Sequence, residues 1–84
     1  MGSKARTPGP LNEAVANEIR AERARRRLTQ EQVIERSRVP RSTYVRLEAG
    51  TRNIDMEQLH AIARALGVAA RDLMERAERH VGAD

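Results

Sequence analysis

Apolar residues recur along this chain at helical spacing, in runs separated by short polar breaks. Leu11, Val15 and Ile19 stand four apart and mark the inner face of a helix expected from about Leu11 to Arg26. Pro10 suits its first turn, where a missing N–H costs nothing, and Arg25, Arg26 and Arg27 complement the dipole at its end. Thr29 followed by Gln32 forms a capping box and opens a second helix over about 29–37, with Val33 and Ile34 turned inward. A third helix over about 40–49 turns Tyr44 and Leu47 inward and ends at Gly50. Thr51 to Ile54 reads as a loop. Asp55 and Gln58 repeat the capping box before the stripe Leu59, Ile62, Ala63 and Leu66, which Gly67 terminates. The last helix, from about Ala69 to His80, carries Ala70, Leu73, Met74, Ala77 and then Val81.

These elements define an all-α fold: one compact five-helix domain over residues 11–81. Residues 1–10 hold two Pro and two Gly without apolar periodicity and read as a flexible arm, and 82–84 as a tail. Lys4 and Arg6 in the arm are either phosphate contacts or part of a tail without a role. Only about three residues separate the second and third helices. That spacing forces a sharp crossing. One helix is then able to lie across a DNA backbone while the next enters the major groove.

Composition narrows the classes. Tyr44 is the single aromatic residue, so the core is aliphatic, and the absence of cysteine excludes disulfides and thiolate metal sites. No apolar run approaches the roughly 20 residues that cross a bilayer. The N-terminus lacks a signal-peptide pattern, and a cytoplasmic location is expected. The net charge of +4 is unevenly placed. Arg36, Arg38, Arg41, Arg46 and Arg52 face one acid, Glu48, whereas residues 55–80 set four Arg against Asp55, Glu57, Asp72, Glu75 and Glu78. A basic stripe of this kind suits a polyanion partner or is a solvated arginine-rich surface, and charge alone does not choose between them.

A resemblance chooses. Ile19-Arg20, Arg23, Leu28-Thr29-Gln30-Glu31, Ser42-Thr43, Arg46-Leu47-Glu48, Gly50, Arg52 and Leu59-x-x-Ile62-Ala63-x-Ala65-Leu66-Gly67-Val68 follow one another in order and spacing. Residues 14–74 thereby resemble the lambda-repressor-like, Cro/Xre-type helix-turn-helix family. The resemblance implies double-stranded DNA as partner, read in the major groove by the third helix. It implies Gln30 on a phosphate, at a helix N-terminus that itself attracts phosphate. It places Arg41 and Ser42 on base edges, with Arg41 suited to guanine O6 and N7. Val45 is placed against a thymine methyl and Arg46 on a base or a phosphate. Thr43 lies nearer the backbone, and Thr51, Arg52 and Asn53 form a phosphate-contacting loop. Arg23 and Glu48 are implied as a structural ion pair rather than as contacts.

Four positions depart from the family pattern. Ile34 replaces a small residue, which predicts a displaced or tilted third helix. Arg38 replaces the turn Gly, which predicts either a strained left-handed residue or another turn shape. Pro40 replaces the capping Ser, and Ala69 replaces a cap on the last helix.

Catalysis is not expected. His60 and His80 are the only histidines, and neither has a nucleophile or ligand partner at useful spacing. No metal and no cofactor are expected. The expected function is a transcriptional regulator of phage or bacterial type, a repressor that binds a pseudo-palindromic operator as a homodimer. Met74, Ala77 and Val81 are the candidate dimer face. The alternative is an antitoxin that uses the same fold to bind a toxin and regulate its own operon.

Overall fold

Two capping boxes set the frame. Thr29 accepts from the Gln32 backbone N–H at 3.1 Å while the Gln32 side chain accepts from the Thr29 N–H at 2.8 Å. Asp55 and Gln58 repeat the arrangement at 2.7 and 3.0 Å. Each box satisfies two N–H groups that the first turn leaves open. The computed structural model describes residues 8–82. Within them lie α1 (Pro10–Arg25), α2 (Gln30–Ser37), α3 (Arg41–Ala49), α4 (Met56–Leu66) and α5 (Ala70–Val81). Pro10 is helical, so the expected arm loses its last residue to α1. Lys4, Arg6 and the end of the expected tail lie outside the described residues.

α1 packs most extensively on α5, α2 on α4, and α3 lies against α1 and α2. Ile19, Val33, Tyr44, Leu47, Ile62, Leu66 and Leu73 are fully buried where these faces meet. Val39, between α2 and α3, is also buried and anchors the turn to the core. Gly50 and Gly67 end α3 and α4 at φ of 79° and 87°, conformations that favour glycine.

The turn between α2 and α3 settles the question posed by Arg38. The residue is left-handed, with φ 64° and ψ 15°, and its N–H still donates to the Ile34 carbonyl at 2.9 Å. The turn thus keeps the shape that a glycine would take, at a cost of roughly 1–2 kcal/mol for the Cβ. Arg38→Gly is expected to recover about 1 kcal/mol of that cost after glycine's greater unfolded-state entropy is subtracted. Thermal unfolding should rise by about 4–8 °C. A fall in the midpoint would show that the arginine side chain contributes more than its backbone costs. Pro40 occupies the N-cap itself, contributes no side-chain cap, and accepts from the Tyr44 N–H at 2.8 Å.

α5 requires a correction. Ala77 has 0 % exposure and belongs to the domain's own core, so it is not available to a partner. Its place on the stripe is covered from within, as the packing of α5 on α1 requires. Met74 and Val81 are half-buried against the same core. Met74 lines a shallow apolar depression of 160 Å³ with Leu11, Val15, Ile54 and Leu59.

Away from the turn, Glu22 is buried in α1 and gathers three arginines. Arg26 and Arg25 bind it at 2.5 and 2.8 Å, and Arg76 of α5 at 2.9 Å. These hydrogen bonds outweigh its desolvation and hold the carboxyl at about 2. The cluster pins α5 to α1.

Candidate nucleic-acid interface

α3 divides sharply between its two faces. Tyr44, Leu47 and Glu48 point inward, while Arg41, Ser42, Val45 and Arg46 are exposed and Thr43 is half-exposed. The exposed residues fall at i, i+1, i+4 and i+5, which puts them on one strip of the helix surface. Val45 and Met56 are the large hydrophobics left exposed among the described residues, so the strip offers one apolar contact between polar ones.

The back of α3 is fixed by a single carboxylate. Glu48 is buried and accepts from Arg23 Nε at 2.7 Å, Arg23 Nη2 at 3.2 Å, Gln30 Nε2 at 2.6 Å and the Tyr44 hydroxyl at 2.7 Å. Burial alone would push its pKa up. The hydrogen bonds from Arg23, Tyr44 and Gln30 overcome that and hold it below the ordinary carboxylate value, so Glu48 is charged. Burial, then the neighbouring carboxylate, pushes the Tyr44 hydroxyl up and keeps it a donor. Arg23 also donates to the Leu28 carbonyl at 2.9 Å. One cluster therefore joins α1, the approach to α2, α2 itself and α3. The ion pair that the resemblance implied is present, and it is larger than a pair.

Gln30 has a double position. It is the first residue of α2, beside the open N–H groups of that helix, and it is half-exposed. One of its amide N–H groups is given to Glu48, which leaves the other N–H and the carbonyl for a ligand. The brace thus holds the side chain at the helix N-terminus.

The loop after α3 is held from α1 by a residue that sequence reasoning missed. Asn12 donates to the Arg52 carbonyl at 3.1 Å and accepts from the Ile54 N–H at 2.8 Å. Thr51 closes the end of α3 through its N–H to the Arg46 carbonyl at 3.1 Å. Thr51, Arg52 and Asn53 are left with exposed side chains. Arg20, which the resemblance matched without giving it a role, donates to the Glu48 carbonyl and to Asn17, tying α1 to the end of α3. An asparagine or arginine on a helix otherwise read for its apolar face carries no periodic signal of such a role.

The charge on this surface is less uniform than the sequence implied. Arg38, Arg46 and Arg52 are exposed. Glu48, the one acid of the stripe, faces the interior. Arg41, however, is paired across the turn with Glu31 of α2, and each Nη meets a different carboxylate oxygen. The pair lowers the pKa of Glu31 and raises that of Arg41, so both are charged.

His80 meets Glu18 at 3.3 Å near the end of α5, and the described residues contain no group of three or more potential metal ligands. No helix among them is long and apolar enough to cross a membrane. What the surface provides is a strip of hydrogen-bonding and apolar side chains on the exposed face of α3, flanked by amide and guanidinium donors.

This arrangement defines a helix-turn-helix DNA-binding domain of the kind carried by transcriptional regulators. The chain belongs to the Cro/C1-type helix-turn-helix family, which it matches over residues 19–73. Among solved structures it is similar to the clp gene regulator ClgR from C. glutamicum, with 30% identity and a TM-score of 0.77 over 83% of this chain and 91% of that one. A second structure of ClgR, from Corynebacterium glutamicum, aligns at 28% identity with a TM-score of 0.80, over 92% of this chain and 81% of that one. The wild-type restriction-modification controller protein C.Esp1396I shares the fold, with a TM-score of 0.79 at 22% identity over 90% of this chain and 99% of that one. Comparison with curated protein sequences finds no match.

Proposed function

We propose that this protein is a sequence-specific repressor that binds a pseudo-palindromic operator as a homodimer. The exposed strip Arg41, Ser42, Val45 and Arg46 carries the reading. It presents a guanidinium suited to guanine, a hydroxyl, a methyl-bearing surface and a second guanidinium to one groove. Gln30 at the α2 N-terminus and Thr51, Arg52 and Asn53 beyond α3 flank the strip and take the phosphates, with Thr43 on the backbone side.

Two protomers are needed because one recognition helix contacts too few base pairs for high specificity, and a dimer reads two half-sites about one helical turn apart. Met74 and Val81 remain the candidate contacts on α5, now without Ala77. Repression follows from operator occupancy, which needs no ligand site.

Selection of bound duplex from a random pool tests the reading. An enriched palindrome is the expected result, and enrichment of no sequence would overturn it. On the selected duplex, Arg41→Ala should cost about 1–3 kcal/mol and relax one base-pair position in each half-site. Gln30→Ala should weaken binding to all duplexes alike, as a backbone contact does. If Arg41→Ala also acts uniformly, Arg41 is a phosphate contact.

A further inference from the structure

The pairing of Arg41 with Glu31 bears on specificity. Arg41 is the first residue of α3, and Glu31 lies in the first turn of α2, on the other side of the turn. Both side chains are exposed, at 63 % and 59 %, so their contact adds little to folding stability. Its effect falls on where the guanidinium points. A free arginine side chain at a helix start samples many rotamers. One held through both Nη atoms samples fewer.

The geometry of the contact leaves the guanidinium able to bind twice. It is end-on: Nη1 donates to one Glu31 oxygen and Nη2 to the other. A guanidinium has five N–H donors, and this uses two of them. Nε–H and one remaining Nη–H form a second parallel fork along the side of the plane. Guanine offers O6 and N7 as two acceptors in the major groove, which is the complement of such a fork.

We propose that Glu31 is a specificity-determining residue: it holds Arg41 in the orientation that reads guanine and penalises any site where guanine is absent. This rests on the assignment of Arg41 as a base-reading residue. Glu31 itself makes no contact with the base and acts through Arg41. At a guanine the carboxylate and the base share the guanidinium. At any other base the fork finds no matching pair of acceptors. The arginine is then unable to swing to a phosphate without leaving the Glu31 carboxylate beside the DNA unpaired. Glu31 therefore lowers affinity for duplex in general and raises the ratio between right and wrong sites.

The test uses the full chain and the duplex selected from a random pool, together with its single-base-pair variants and an unrelated duplex. Glu31→Gln, Arg41→Ala and the double variant are compared with the wild type by equilibrium titration. Arg41→Ala is expected to relax one position per half-site. Glu31→Gln should cut discrimination at that same position about fivefold or more, and bind the unrelated duplex more tightly than the wild type does. In the Arg41→Ala background, Glu31→Gln should leave discrimination at that position unchanged. If Arg41→Ala relaxes a position and Glu31→Gln leaves its discrimination intact, Glu31 is only a repelling charge; the proposal fails and the base-reading assignment stands. If Arg41→Ala relaxes no position, the assignment fails and the proposal with it.

Discussion

Arg23→Ala is expected to lower the stability of the folded domain by about 3–5 kcal/mol, because it removes the one cation that neutralises a buried carboxylate. Glu48 has 3% exposure and would keep only Gln30 and the Tyr44 hydroxyl, two neutral donors, to offset its desolvation. Domains of this size are stable by only about 5–15 kcal/mol, so such a loss is a large share of the whole. Urea unfolding should show an earlier midpoint with little change in slope. A loss below about 1 kcal/mol would mean that water or backbone movement solvates Glu48 when Arg23 is gone. The complementary variant replaces Arg23 and Glu48 with methionine and Tyr44 with phenylalanine. It removes the charges together with the hydroxyl that would otherwise lose its acceptor, and should recover most of the stability. Its DNA binding should stay weaker than that of the wild type, because Gln30 then loses the Glu48 anchor that fixes it beside the α2 N-terminus. Separating the two readouts distinguishes a brace that only stabilises from one that also positions.

The parts of this fold that were legible in the sequence are the local ones. A capping box needs two side chains three residues apart, so Thr29 with Gln32 and Asp55 with Gln58 announce their helices without tertiary context. Gly50 and Gly67 mark ends for the same reason. The features that were not legible join residues distant in sequence. Glu22 meets Arg76, Asn12 meets the backbone of Arg52 and Ile54, and Glu31 meets Arg41. No spacing rule connects such pairs, because the turn geometry and helix packing that bring them together are tertiary. Ala77 shows the same limit from the apolar side: periodicity identifies a stripe but not whether it is covered by the same chain or by another. Glu48 lies between these cases. Its pairing with Arg23 came from the family resemblance, whereas Gln30 and Tyr44 as further donors required the structure. The same addition changes the reading of Gln30, from a free phosphate ligand to one held in place from behind.

The salt dependence of binding should be steep and should also count protomers. Neutralising a phosphate with a bound cation releases counterions, and the logarithm of the binding constant falls with the logarithm of salt by about 0.9 for each such contact. Arg46 and Arg52 are the exposed cations of the strip and its flanking loop that have no carboxylate partner among the described residues. Arg41 is excluded because Glu31 balances its charge, and the Gln30, Thr51 and Asn53 contacts are neutral. A single protomer then gives a slope near −2, and a dimer on two half-sites a slope between about −3 and −4. Between 50 mM and 200 mM salt, affinity should drop roughly a hundredfold for the dimer and about tenfold for a lone protomer. Removing Arg52 should make the dimer slope shallower by about two, one for each half-site, because Arg52→Ala deletes the same phosphate contact twice. Removing Arg41 and Glu31 together, a charge-neutral change, should leave the slope nearly unchanged despite its larger effect on sequence preference. A flat response to salt would rule out the Arg46 and Arg52 phosphate contacts, and a slope near −2 that does not depend on protein concentration would place one protomer, not two, on the operator.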